Sequence, residues 1–154
     1  MSAVPAASHF LPRETRVLVV DDSPTMGSIY RQLLRGVGVQ NVTQATSGIE
    51  AIEACALTQP HVALIDYQMG DLTGVELTRL LRSAPDSPAP DLPIVLITAH
   101  ASQAVLKEAI AAGVDAFVAK PVSAGALAQH VRTAIERRGR LAAQRKTALA
   151  MNAG

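Results

Sequence analysis

The chain has no tryptophan, and only two tyrosines and two phenylalanines in 154 residues. With so few large π surfaces it is poorly equipped to stack on nucleobases or on a flavin. Cysteine is nearly absent as well. Cys55 stands alone, so no internal disulfide can form, and the chain suits a reducing compartment. It falls in a helix-like stretch and reads as an inert, packed thiol. No apolar run approaches the roughly 18 to 20 residues needed to span a bilayer. Met1 to Pro12 lacks a basic segment leading into an apolar core, so it does not read as a signal peptide. The expectation is a cytoplasmic protein with no membrane partner.

What is plentiful is small aliphatic surface. Hydrophobic residues make up 49% of the chain, mainly Ala, Val, Leu and Ile. That suits one compact α/β domain, long enough to bury a core without metal or disulfide staples. The formal net charge of +1 conceals an asymmetry. Residues 14–135 carry 8 Lys/Arg against 12 Asp/Glu, a net of −4, whereas residues 136–154 carry 5 against 1, a net of +4. An acidic domain thus bears a basic tail.

Residues 1–13 are rich in Ala, Ser and Pro and read as a flexible leader. Arg16 to Val20 is a β-branched run ending at Asp21-Asp22. Ser23-Pro24 follows as a helix cap and first turn, with Met26, Ile29, Leu33 and Leu34 at helical spacing up to Gly36 and Gly38. Asn41 to Ala45 is a weaker strand, and Gly48 to Leu57 a helix with Ile49, Ile52 and Ala56 on one face. His61 to Ile65 is an apolar strand ending at Asp66. Then come a helix from about Val75 to Arg82 with Leu77, Leu80 and Leu81 inside, and a Pro-rich connection from Ser83 to Pro93. Ile94 to Ile97 ends at Thr98, Ser102 to Ala112 is a helix closed by Gly113, and Asp115 to Ala119 ends at Lys120-Pro121. Ser123 to Arg138 is the last regular helix, Gly139 breaks it, and residues 139–154 form a basic tail, either loose helix or arm.

Five strands alternating with five helices predict a doubly wound parallel sheet. The central strands are apolar throughout, as strands covered on both faces should be. In such a sheet the C-terminal strand ends gather at one edge, where ligands bind. Asp21, Asp22, Asp66, Thr98 and Lys120 would therefore meet in one shallow cleft. Adjacent carboxylates repel each other unless a cation sits between them, and Mg²⁺ favours such oxygen donors together with phosphate oxygens. Asp66 is the candidate nucleophile, since a carboxylate can hold a phosphoryl group as an acyl phosphate. Lys120 and Thr98 would neutralise and donate to that group. The bland alternative, that Asp21-Asp22 merely caps a helix, loses weight once Asp66 stands in register. Pro121 admits a cis Lys120-Pro121 peptide.

These residues resemble the receiver domain of two-component response regulators over residues 16 to about 137, within a domain read as residues 14–138. The segments that carry the likeness are Val17 to Ser23, Asp66 to Met69 through Gly74-Val75-Glu76, Ile97-Thr98-Ala99, and Phe117 to Pro121. Ser23-Pro24-Thr25-Met26 is similar to the stand-alone, chemotaxis-type members. The resemblance implies a flavodoxin-like receiver fold with strand order 2-1-3-4-5. It implies phosphorylation of Asp66 by a histidine kinase or a His-containing phosphotransfer protein. It implies Mg²⁺, with Mn²⁺ as a substitute, on Asp22, Asp66 and the main-chain carbonyl of Gln68, with Asp21 acting largely through water. It further implies that Thr98 moves inward and Phe117 rotates, reshaping the fourth helix, fifth strand and fifth helix for a downstream protein target, in a monomer or weak homodimer.

Three departures stand out. Gly70 occupies a place where the family usually has Pro, which should loosen the loop beside Asp66. Phe117 stands where many members have Tyr and has no hydroxyl to report. Gln68 and His100 flank the site at positions resembling those that tune phosphate lifetime, and His100 reads as a tuning residue rather than a phosphate carrier. A flavin protein would want a Gly/Ser/Thr phosphate loop where the acidic pair stands. An aspartate-nucleophile phosphatase would want a second Asp two residues after the first, where Asp21-Asp22-Ser23-Pro24 has none. For output, the alternatives are a phosphorelay shuttle or a phosphorylation-independent adaptor that binds a second messenger through the basic tail. The tail has no aromatics, which argues against nucleic acid.

Overall fold

A computed structural model describes residues 10–152. Each apolar run forms a strand: β1 (Arg16–Val20), β2 (Asn41–Ala45), β3 (Val62–Asp66), β4 (Ile94–Thr98) and β5 (Ala116–Ala119). All pairings are parallel, in the order β2-β1-β3-β4-β5. Between and after them lie α1 (Pro24–Gly36), α2 (Gly48–Thr58), α3 (Gly74–Ser83), α4 (Gln103–Ala112) and α5 (Ala124–Asn152).

Side-chain alternation divides the core into two layers. Val17, Val19, Leu64, Val95 and Ile97 face α1 and α5, where Tyr30, Leu34, Leu127 and Val131 meet them. Leu18, Val20, Ile65, Ile94 and Leu96 face α2, α3 and α4. Every residue of β3 and β4 is buried, which explains their unbroken apolar sequence. β2 is an edge strand and mostly half-buried, so it tolerates Thr43 and Gln44.

The structure corrects four expectations. α2 buries Gly48, Ala51, Ala54 and Cys55, whereas Ile49 is 69% exposed and Ala56 is also exposed. Small residues bring this helix close to the sheet, a gain in contact that the larger side chains would forbid. In α3 the inward position goes to Thr78 rather than to the exposed Leu80, because the Thr78 hydroxyl is satisfied by donating to Gly74 O at 2.8 Å. Of the leader read over residues 1–13, residues 1–9 lie outside the described residues, but Leu11 is buried and its N–H donates to Val37 O at 2.8 Å. Finally, α5 runs through Gly139 without a break. Glycine costs a helix only about 1 kcal/mol relative to alanine. The surrounding Arg138, Arg140, Leu141, Ala142 and Ala143 are strong helix formers.

At the N-terminal edge of the sheet, Asp115 is buried between β4 and β5. Its Oδ2 accepts from Arg82 Nη2 and from the Ile94 N–H, both at 2.9 Å, and its Oδ1 accepts from Arg138 Nε at 3.0 Å, with Arg138 Nη2 in ion-pair contact at 2.8 Å and donating to Gly113 O. Burial, reinforced by the nearby Arg138, pushes the Arg82 guanidinium down to about 10. Arg145 reaches from the distal part of α5 to Asp91.

Candidate phosphoryl and metal site

β1, β3, β4 and β5 deliver their candidate residues to the opposite, C-terminal edge. Asp21 and Asp22 follow β1, Asp66 ends β3, Thr98 ends β4 and Lys120 follows β5. The structure brings one carboxylate oxygen each of Asp21, Asp22 and Asp66 within 4.8 Å of one another. Lys120 Nζ lies 3.3 Å from Asp66 Oδ1. Three negative groups thus share one ammonium. At that spacing each carboxylate pair repels by about 3 kcal/mol in an effective dielectric of about 20.

The local backbone explains how Asp21 is held. Its N–H donates to Ala45 O at 3.1 Å, and its Oδ1 accepts from the Ser23 N–H at 2.9 Å. Ser23 itself caps α1, accepting from the Met26 N–H, so the acidic pair is not the cap. Asp21 Oδ2 is buried and has no hydrogen-bond partner among the described residues. Burial raises the Asp21 carboxyl above its ordinary 3.8, and the neighbouring Asp66 and Asp22 push the same way against the Ser23 N–H and Lys120. A buried anionic oxygen without a partner is costly unless a cation relieves it. The donors are all carboxylate oxygens, with no imidazole or thiolate in the group. That set suits Mg²⁺ or Mn²⁺ rather than zinc.

Beside this trio opens a cleft of about 110 Å³, bounded by Asp66, Gln68, Thr98, His100 and Lys120. Sites for drug-sized ligands run from about 300 Å³ upward. The cleft therefore has room for a phosphoryl group but not for a flavin. Thr98 is buried, and its hydroxyl is engaged with the backbone of His100: it accepts from the His100 N–H at 3.1 Å and donates to His100 O at 3.2 Å. His100 is exposed at the rim. Phe117 is half-buried against the α2–α4 layer and does not line the cleft. The Lys120-Pro121 peptide is cis. Behind Asp66, Gly74 opens α3 where any Cβ would sit 2.5 Å from Asp66 O and 2.7 Å from Leu96 Cδ1, so only glycine fits.

Sequence reasoning missed Tyr30. It is fully buried under the site, its hydroxyl has no partner among the described residues, and burial, followed by Asp21 and Asp66, pushes its pKa well above that of an ordinary phenol. The helical repeat read in α1 ran through Met26, Ile29, Leu33 and Leu34 and passed over it, whereas the buried face is Gly27, Tyr30 and Leu34 and Ile29 is exposed. Ser102 caps α4 and also reaches the cleft, as does Val105. Among the described residues no helix is long and apolar enough to cross a membrane.

Comparison with known proteins agrees with this architecture. Residues 17–132 match the family model for the response regulator receiver domain. The chain is 33% identical over 122 residues to the chemotaxis protein CheY of Pseudomonas aeruginosa, covering 79% of this chain and 97% of that protein. It is 31% identical over 127 residues to chemotaxis protein CheY-3 of Vibrio cholerae, covering 82% and 96%. Among solved structures, Vibrio cholerae CheY4 superposes with a TM-score of 0.70 at 26% identity, covering 77% of this chain and 96% of that one. The receiver domain protein from Clostridium thermocellum gives a TM-score of 0.71 at 25% identity, covering 82% and 98%. With a carboxylate trio and an ammonium at the strand ends of the expected sheet, and a family match across most of its length, this chain belongs to the response regulator receiver domain family of two-component signalling proteins.

Proposed function

We propose that this chain takes a phosphoryl group onto Asp66 from a histidine kinase or a His-containing phosphotransfer protein, and that phosphorylation changes which protein it binds. The observation that carries this reading is the pairing of Asp66 with Lys120 at 3.3 Å beside two further carboxylates. An Asp66 oxygen attacks phosphorus while the bond to the donor's imidazole nitrogen breaks, and the imidazole leaves with the electron pair and takes up a proton from solvent. Lys120 meets the negative charge that arrives on the phosphoryl oxygens. Asp21, Asp22, Asp66 and the Gln68 carbonyl would hold a divalent cation, whose chemistry when bound is to neutralise those same oxygens. Thr98 then exchanges its hydrogen bonds with the His100 backbone for one to the phosphoryl group, and Phe117 follows it inward. That alters the surface of α4, β5 and α5, where the downstream protein docks. His100 and Gln68 set how readily water reaches the acyl phosphate.

The reading of the basic tail as a ligand-binding arm is weakened by its own contacts. Arg137, Arg138 and Arg145 are already paired with Asp115 and Asp91. The test is intact mass after incubation with Mg²⁺ and a small phosphoryl donor. The native chain is expected to gain one phosphoryl group and Asp66→Asn none. A gain in both, or a gain that persists without divalent cation, rules the assignment out.

A further inference from the structure

The segment from Gln68 to Leu72 passes the acidic trio as a short loop closed at its base by an antiparallel bridge between Gln68 and Thr73. Its ends are fixed. The Tyr67 N–H donates to Ile97 O and the Gly74 N–H to Tyr67 O, both at 2.8 Å, and Thr73 with Glu76 forms a capping box at the start of α3. Its middle has no proline, and Gly70 runs beside Asp22, where an added Cβ would lie 3.9 Å from Asp22 Oδ2. Beyond that bridge the side chain of Asp71 ties the segment to α2: Asp71 Oδ2 accepts from the Gly48 N–H at 2.9 Å.

That bond reaches an element tied to the site. Gly48 is the first residue of α2, whose opening N–H groups have no partner within the helix. A carboxylate there also meets the positive end of the helix dipole. Leu72 packs on the same glycine, so closely that a Cβ at Gly48 would sit 2.5 Å from Leu72 Cδ1. α2 follows directly on β2, and the last residue of β2, Ala45, accepts from the N–H of Asp21. Asp71 thus joins the loop that carries Gln68 to the strand pair that carries Asp21 and Asp22.

We propose that Asp71 is a positioning residue: by accepting from the first N–H of α2, a helix whose N-cap is Ser47, it holds the Gln68–Leu72 loop in place over the acidic trio and so sets the affinity of the site for a divalent cation. The proposal rests on the reading of Asp21, Asp22 and Asp66 as a cation site. Because Asp71 is exposed, its removal leaves the core untouched. The experiment titrates Mg²⁺ by calorimetry into the native chain, Asp71→Ala and Asp71→Asn, with thermal melting in chelator to verify that each is folded. Asp71→Ala is expected to weaken Mg²⁺ about 10-fold, the low end for residues that orient a metal's ligands. Asp71→Asn keeps an acceptor oxygen for the Gly48 N–H while losing the charge, and is expected to stay within about 2-fold of native. Equal affinity in native and Asp71→Ala overturns the positioning role alone. Equal weakening in Asp71→Ala and Asp71→Asn also overturns it, because the effect would then be charge acting at a distance. A native chain that binds no Mg²⁺ overturns the cation site and this role together.

Discussion

The two edges of the sheet are built from the same side-chain chemistry in opposite proportions. At the N-terminal edge one carboxylate, Asp115, is shared by Arg82 and Arg138, with Arg137 at 3.9 Å, and both of its oxygens accept from N–H donors at 2.9 to 3.0 Å. At the C-terminal edge three carboxylates share Lys120, and Asp21 Oδ2 is left buried without a partner among the described residues. The first cluster is complete within the chain and can only hold it together. The second leaves a carboxylate oxygen unsatisfied, the condition that the proposed cation would relieve. What separates a structural charge cluster from a site here is therefore unsatisfied valence: depth of burial is similar, with Asp115 at 6% and Asp21 at 3% exposed.

The largest test of this contrast is Asp115→Asn. It leaves two guanidiniums facing a neutral amide in a buried place. Breaking such a pair costs about 3 kcal/mol, read as a lower urea midpoint. An unchanged midpoint would make Asp115 as dispensable as a surface residue and break the comparison. The same substitution at Asp21 is expected to act in the other direction. Asp21→Asn removes a buried charge that has no cation, so the metal-free protein gains about 1 kcal/mol while Mg²⁺ binding weakens. The sign of the pH dependence sharpens this. The folded-state pKa of Asp21 lies above its ordinary 3.8, so the folded chain keeps this proton where the unfolded chain has lost it. Stability from that source is present below the ordinary value and is lost as pH rises through the folded pKa. The advantage of Asp21→Asn in chelator should therefore grow as pH rises above 3.8, and Mg²⁺ affinity of the native chain should rise with it as the cation displaces the proton. A difference that stays constant as pH rises would show that burial does not burden the Asp21 carboxylate.

Both edges differ also in how far the sequence exposes them. Asp21, Asp66, Thr98 and Lys120 could be placed because each follows an apolar run, and parallel strands must bring those ends together. The lower cluster could not. Asp115 is 33 residues from Arg82 and 23 from Arg138, and nothing local distinguishes those arginines from solvated ones. The tie from Asp71 to Gly48 spans 23 residues and was invisible for the same reason, although the looseness expected of Gly70 pointed to the loop it restrains. The buried face of α2 was misread because alanine fits either face, so Ile49 and Ile52 drew the pattern to the wrong side. Gly139 was misread because one glycine outweighs its neighbours only when they are poor helix formers.

The smallest effect concerns α5 beyond that glycine, where the two clusters have a weaker counterpart. Arg145 and Asp91 form an ion pair about half exposed on both sides, unlike Arg138 on buried Asp115. Such a surface pair contributes at most about 0.5 kcal/mol and is screened by salt. Arg145→Ala should accordingly leave the urea midpoint almost unchanged. Yet a helix of fewer than about 12 to 15 residues is marginal in water without a tertiary anchor, and residues 140–152 have few others. Hydrogen exchange should register what the midpoint does not: faster exchange over residues 140–152 in Arg145→Ala, and unchanged protection in β3 and β4. The same acceleration should appear in the native chain at high salt, since screening removes the pair without a mutation. If neither change loosens the distal turns, the ion pair is incidental and the helix persists there on the propensity of its Ala, Leu, Arg and Gln residues alone.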